Sequence, residues 1–151
     1  MKTQTTLKVI ATLLVLSALS QPAKSTDVAV CVHELFGLVK NVIDLAKAIS
    51  EKNPFDIIHD VEKLIQYLDI DKIKQCEGIT IEEIKEYIEK YIKKEDKPCI
   101  NEEIELLQDG KKFLHYAKRR EILHIIKWGE KVAHDCHELV ELCKHIIPEE
   151  Q

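Results

Sequence analysis

The segment from residue 121 to 147 holds most of the side chains that could do chemistry in this 151-residue chain. If the segment is helical, imidazoles and carboxylates recur every three or four residues along one face: Glu130, His134, His137, Glu141 and His145. This spacing lets neighbouring side chains converge on one ion, and imidazole with carboxylate suits zinc or copper. His134, His137 and Glu141 are therefore candidate metal ligands. One helix supplies only two or three ligands and no second motif of matching type follows, so a solvated polar face is the alternative.

The chain has five cysteines, Cys31, Cys76, Cys99, Cys136 and Cys143, and the last two lie on the apolar face of the same helix. Seven residues of helix put the Cα atoms of those two roughly 10 Å apart, which is too far for a bond between them. In an up-and-down bundle, the helix ends bring Cys31 near Cys76 and Cys99 near Cys143, and we predict these two disulfides. Cys136 is then left as a buried, unreactive thiol or as one that pairs between chains.

The first 25 residues have the pattern of a signal peptide. A basic start precedes an apolar run over residues 9–19, and small-residue cleavage patterns predict removal after Ser20 or Ser25. Because removal after Ser25 takes away three lysines and no acid, the net charge falls from −5 to −8. An acidic mature chain disfavours nucleic acid and anionic membrane surfaces as partners. We expect a soluble protein outside the cytosol, with no membrane span after cleavage.

The composition is that of a helical protein. Four glycines and four prolines leave little material for tight hairpins, and apolar residues recur at helical spacing along most of the chain. We predict an all-α fold: a disulfide-tied, up-and-down bundle of about five amphipathic helices. It would form a single domain over residues 26–147, followed by an acidic tail over residues 148–151.

Local signals mark the first three helices. Helix one is expected to end near Ser50, and Asn53 to cap helix two with Pro54 at its first position. The pattern of helix two continues loosely to Gly78, which suits a left-handed C-terminal position. Residues 80–83, Thr-Ile-Glu-Glu, form a capping box that should open helix three.

The boundaries of the last two helices are less clearly marked. Asn101 is expected to cap helix four, with Glu102 and Glu103 in its first turn. Residues 118–121 interrupt the apolar register, and we predict a turn there because one continuous 46-residue rod would span about 70 Å. Ile122 then begins the apolar stripe of helix five.

The only basic region lies around this turn, beside Tyr116 and Trp128. It consists of Lys111, Lys112, Lys118, Arg119, Arg120, Lys127 and Lys131. It could dock an acidic partner or a lipid headgroup, or it is a helix end with its favourable cations. We find no glycine-rich phosphate loop, nucleophile elbow, CxxC motif or paired-carboxylate cleft, so we predict no enzymatic activity and no cofactor.

The spacing of Cys31, Cys76 and Cys99, with GITIEEIKEYIEKYIKKEDKPC after the second cysteine, is similar to that of secretoglobins. These are small secreted helical proteins that dimerise and enclose apolar ligands. The similarity covers residues 31–99, and the helices that carry Cys136 and Cys143 depart from the family, so we assign the chain to no family.

The odd cysteine, the acidic surface and the lack of catalytic groups favour a secreted, non-enzymatic interaction or structural protein. Such a protein would self-associate or bind an extracellular protein partner. The alternative is an extracellular carrier of a small apolar ligand or lipid in the bundle core, because the stripes are rich in isoleucine and poor in aromatics. Surface metal binding by the His/Glu ladder of the last helix is a third hypothesis.

Overall fold

The computed structural model describes residues 27–146, and within them all regular structure is helical. The five helices α1 to α5 span residues 27–50, Ile58–Leu68, Ile81–Tyr91, Lys97–Lys118 and Ile122–Leu142. Two short 3₁₀ turns, Ile70–Lys72 and Lys74–Cys76, link α2 to α3. The predicted all-α bundle is confirmed. The predicted signal peptide over residues 1–25 and the acidic tail lie outside the described residues.

The first helix buries a continuous apolar stripe. Its members recur at intervals of three and four residues, which places them on one side of a helix. They are Val28, Cys31, Val32, Leu35, Val39, Val42, Ala46 and Ile49, and each is at most 5% exposed. They belong to the same core as the buried residues of the other four helices.

The predicted start of α2 is displaced by several residues. The side-chain Oδ1 of Asn53 accepts hydrogen bonds from the backbone amides of Phe55 at 2.9 Å and Asp56 at 3.1 Å. It therefore caps one isolated turn, and α2 itself begins at Ile58. The predicted continuation of helix two to Gly78 is wrong, because α2 ends at Leu68 and two 3₁₀ turns follow it. Gly78, after these turns, has a φ of +77°, the left-handed conformation that the sequence predicted.

The two remaining N-terminal predictions differ in outcome. The capping box of α3 is confirmed, because the Thr80 hydroxyl accepts from the Glu83 amide at 3.1 Å and the Glu83 carboxylate accepts from the Thr80 amide at 2.9 Å. The prediction that Asn101 caps helix four is wrong. The helix begins one turn earlier, at Lys97, with a proline in its first turn.

The predicted turn between the last two helices is confirmed. The chain reverses over residues 119–121, where Arg120 has a φ of +56°. The Arg120 amide donates to the Ala117 carbonyl at 3.1 Å, and the Glu121 amide donates to the Tyr116 carbonyl at 3.2 Å. These bonds satisfy the end of α4, and α5 returns antiparallel beside it. We call α4 and α5, with the turn between them, the α4–α5 hairpin.

Two glycines allow close contacts between neighbouring parts of the bundle. The helix α4 is central and packs against α2, α3 and α5. A methyl group at Gly110 would lie 2.6 Å from Ile65 Cδ1 of α2, and one at Gly129 would lie 3.0 Å from Phe113 Cε1 of α4. The glycines therefore let α2 and α5 approach their neighbours closely.

Two disulfides tie the helices together. Cys31 of α1 is bonded to Cys76 in the second 3₁₀ turn, and Cys99 near the start of α4 is bonded to Cys143 directly after α5. These are the pairs expected from the sequence, and Cys136 is free and buried. In the described part of the chain, no helix combines the length and the apolar character needed to cross a bilayer.

Candidate functional site

The predicted His/Glu ladder faces solvent, and its last member, His145, lies beyond the end of α5 at Leu142. All five of its side chains are exposed: Glu130, His134, His137, Glu141 and His145. Glu141 pairs with Lys144 at 3.1 Å, and His145 Nε2 lies 2.9 Å from Asp96 Oδ1 near the start of α4. Among residues 27–146, the structure does not bring the predicted ligands His134, His137 and Glu141 together as a group that could hold one ion.

A different set of acidic side chains does converge, on the flank of the α4–α5 hairpin. Glu102, Glu105 and Asp109 recur on one side of α4, and Asp135 with Lys131 lies opposite them on α5. The ammonium of Lys131 is 3.1 Å from Asp109 Oδ2, 3.4 Å from Glu105 Oε2 and 3.7 Å from Asp135 Oδ1. We call Glu102, Glu105, Asp109 and Asp135 the carboxylate cluster. The sequence analysis found no paired-carboxylate cleft and did not predict this cluster.

Because the cluster is largely buried, the charged form of its carboxylates is disfavoured. Asp109 and Asp135 are only 6% and 3% exposed. Burial, followed by the adjacent carboxyl group of Asp109 and its charge, raises the pKa of Asp135 well above its usual range, although Lys131 opposes the shift. Burial and the neighbouring charge of Glu105 raise the pKa of Glu102 to about 7. One ammonium therefore does not fully compensate the four acids.

A further acid, Glu103, is buried separately in the core. It is 1% exposed, and neither of its carboxylate oxygens has a hydrogen-bond partner. Burial raises its pKa well above the usual value. The sequence predicted Glu103 in the first turn of helix four, where an acid is favourable. Because α4 begins at Lys97 instead, Glu103 lies in the second turn and on the buried side.

The free thiol of Cys136 is unsuited to chemistry. The residue is fully buried, and burial raises the pKa of its thiol far above the usual value. The neighbouring acids Asp135 and Glu102 act in the same direction. Pairing with a second chain would need an exposed sulfur, so the structure favours the buried, unreactive thiol of the two sequence hypotheses.

The reversal between α4 and α5 exposes apolar side chains among cations. We define the α4–α5 corner as the exposed residues Lys118, Arg119, Arg120, Ile122, Leu123 and Lys127. Leu123 is 81% exposed and Ile122 is 60% exposed. The prediction that Ile122 begins the buried stripe is wrong, because the first buried residue of α5 is Ile125.

Aromatic rings stack beside this corner. The ring of Tyr116 lies 4.4 Å from that of His124, at an interplanar angle of 13°, and 6.5 Å from that of Trp128. Lys112 and Lys127 place their ammonium groups 4.7 and 5.4 Å from the centre of the Trp128 ring. Cations at these distances from an indole face are attracted by its π-electrons. The stack fixes the positions of the rings and of the two lysines.

Three residues of the predicted basic region do not belong to the corner, and one of them, Lys112, lies over the Trp128 ring. Lys111 pairs with Asp69 at 2.9 Å, and Lys131 is held by the carboxylate cluster. The cations that remain at the surface form a smaller patch than the sequence suggested. Glu121 is the acid within it, and it pairs with Arg119 at 2.8 Å and with His124 at 3.1 Å.

Sequence reasoning missed the carboxylate cluster, although one signal pointed to it. The predicted disulfide between Cys99 and Cys143 fixes how the two antiparallel helices face each other. Ten residues along from Cys99 is Asp109, and eight residues back from Cys143 is Asp135. Helices rise equally per residue, so this register places the two acids within about one turn of each other.

Comparison with known proteins yields no relative. The chain matches no protein-family model, no curated protein and no solved structure. The similarity in cysteine spacing to secretoglobins therefore gains no support.

Proposed function

We propose that this protein is a secreted, non-enzymatic binding protein that docks an acidic extracellular protein through the α4–α5 corner. The observation that carries the proposal is the exposure of Ile122 and Leu123 between arginines and lysines. Leu123 is the most exposed large apolar side chain of the described residues, at 81%. Apolar anchors ringed by polar groups are the usual energetic centre of a protein interface.

The local chemistry supports a preformed contact surface. The Tyr116 ring stacks against the rings of His124 and Trp128, and Glu121 pairs with Arg119. Side chains that are already fixed lose less conformational entropy when a partner binds. Tryptophan, tyrosine and arginine are also enriched among residues that dominate binding energy.

The charge distribution favours an acidic protein over a membrane as partner. The corner is basic, whereas the whole chain carries a net charge of −5. A flat anionic bilayer would meet the field of the entire molecule, which is repulsive. A protein with a small acidic patch and an apolar pocket would meet the corner alone.

Several features support secretion. The N-terminal segment has the order of a signal peptide, with a basic start, an apolar run and small residues at two cleavage patterns. Two disulfides join distant parts of the described chain, and such bonds persist mainly in oxidising compartments. No motif for nucleophilic or phosphate chemistry accompanies them.

A peptide-display selection tests the proposal without knowledge of the natural partner. The full mature protein, in physiological salt, is used to select from a random peptide library, and the enriched peptides are synthesised. We expect them to combine Asp or Glu with an apolar residue. Their affinity should fall about tenfold or more for Leu123→Asp, since an anchor of this kind contributes over 1 kcal/mol.

Tyr91→Asp provides the matched control. Tyr91 is 64% exposed on α3, and it precedes the start of α4 whereas the corner follows its end. The same substitution there should leave peptide affinity unchanged. Equal binding by Leu123→Asp, or selected peptides without acids, would contradict the proposal. Binding to phosphatidylserine vesicles that depends on Leu123 would assign the corner to a membrane. A tightly retained apolar ligand, seen as added mass in native mass spectrometry without peptide binding, would favour the carrier.

A further inference from the structure

The arrangement around Lys131 suggests a role for the carboxylate cluster that is separate from the docking corner. Its ammonium contacts Glu105, Asp109 and Asp135 within 3.1–3.7 Å, and it is the single cation among them. We propose that Glu105, Asp109 and Asp135 form a binding site for a calcium-sized divalent cation, which replaces the Lys131 ammonium between them.

The oxygen geometry fits one ion. In the described part of the chain, these three are the group whose potential ligand atoms all lie within 4.8 Å of one another. Calcium binds oxygen at 2.3–2.6 Å, so two of its ligands can be up to about 5 Å apart. Three mutually close carboxylate oxygens can therefore reach the same ion. The donors are all oxygen, which favours a hard cation over zinc or copper.

A buried oxygen without a partner is the second observation. Asp135 is 97% buried, being 3% exposed, and its Oδ2 has no hydrogen-bond partner. Oδ2 of Asp109 and Oε2 of the half-buried Glu102 also lack a hydrogen-bond partner, although Oδ2 of Asp109 lies 3.1 Å from the Lys131 ammonium. Buried polar atoms are almost always paired in folded proteins. An ion among these side chains would supply the missing interaction.

The site also has an entrance and a movable occupant. A groove of about 630 Å³ between α3 and α4 reaches Glu105 and Asp109, and it is also lined by Asn101, Gln108, Glu89 and the cations Lys85 and Lys112. Amide oxygens and water in this groove could complete the coordination shell. The Lys131 side chain is 41% exposed, so its ammonium can turn outward into solvent when an ion arrives.

The first test uses the unmodified protein. Terbium(III) replaces calcium and luminesces when an excited tryptophan is nearby, and Trp128 is the only tryptophan in the chain. It lies seven residues from Asp135 on the same helix, roughly 10 Å along the axis. We expect terbium emission excited through Trp128, and its loss on addition of calcium. Emission that calcium does not displace would overturn the proposal.

Calorimetric titration of metal-free protein with calcium, at constant ionic strength, measures the affinity. We expect a dissociation constant of about 10⁻⁴–10⁻³ M, as for other extracellular calcium modules. Lys131→Met should bind at least about tenfold more tightly, because the competing ammonium is gone. Asp135→Asn should bind at least about tenfold more weakly. Glu130→Gln, which removes an exposed acid of the same helix, is the control and should bind like the original protein.

The Lys131 variant separates an ion site from a purely structural salt bridge. If Lys131 only neutralises the acids, Lys131→Met should be destabilised and calcium should not restore its melting temperature. Absence of binding to both the unmodified protein and Lys131→Met, at about 10 mM calcium, would overturn the proposal. This outcome leaves the docking corner unaffected, since Leu123 and its cations take no part in the site.

Discussion

The first helix and the α4–α5 hairpin bury their inner faces in different ways. The inner face of α1 is wholly apolar, from Val28 to Ile49. The hairpin buries three acids, Glu103, Asp109 and Asp135, in addition to its apolar residues. It also contains a left-handed arginine at its turn and the most exposed apolar side chain of the described residues.

Both regions contribute to the core, but only the hairpin also carries candidate sites. Every unusual feature of the hairpin reduces stability, because buried acids lose hydration and exposed leucine gains no burial. Folded proteins violate packing rules mainly at functional positions and compensate elsewhere. The apolar stripe of α1 supplies such compensation, and both proposed sites lie on the hairpin.

Removal of either disulfide should have the largest effect on the free energy of unfolding. Comparison of the two losses tests whether α1 and the hairpin are equally constrained. The Cys31–Cys76 and Cys99–Cys143 bonds close loops with sequence separations of 45 and 44 residues. Loop-closure entropy then predicts that replacing either pair by alanine lowers the free energy of unfolding by about 4 kcal/mol. Guanidinium denaturation of the two double variants measures this. A loss below about 1 kcal/mol for one pair alone would show that its region is held by other contacts.

Replacement of Glu103 by methionine should show the cost of a buried acid in the hairpin. Methionine has a similar shape and needs no hydrogen bond. The free energy of unfolding of the variant at pH 5 should therefore be about 1–3 kcal/mol higher than that of the original protein. The pKa of Glu103 is raised in the folded protein, which therefore binds a proton that the unfolded chain releases above about pH 4.3. The original protein thus loses stability as pH rises, and the advantage of the variant should be larger at pH 8.

Urea denaturation at pH 5 and pH 8 measures both quantities. Glu130→Gln, at an exposed position of α5, should show the same pH dependence as the original protein. A Glu103→Met variant with equal gains at the two pH values, or with reduced stability, would mean that the carboxylate has a partner in solution.

The sequence predicted the fold well because apolar spacing and capping depend on local residues. The stripe of α1, the box at Thr80 and the turn near Arg120 are each encoded within a few positions. The buried acids were not predicted, because their burial depends on where a neighbouring helix lies. Asp109 of α4 is paired with Lys131 of α5, a contact that no local pattern within α4 predicts. The predicted start of α4 was one turn too late. This error placed Glu103 in the first turn of the helix, whereas it lies in the second turn and is buried.

Alanine substitution at one glycine in each region should have the smallest effects on stability. An alanine at Gly129 of the hairpin would place its Cβ 2.6 Å from Cβ of Pro54 and 3.0 Å from its Cα. The proline ring and backbone cannot move aside easily, so we expect a loss of about 1–3 kcal/mol. An alanine at Gly37 of α1 meets no atom within 4 Å, and it should raise stability by about 0.5–1 kcal/mol through its better helix propensity. Thermal unfolding of the two single variants should therefore shift the melting temperature in opposite directions. A gain at Gly129 would show that α5 can move away from the loop before α2, and that the hairpin is less tightly packed than α1.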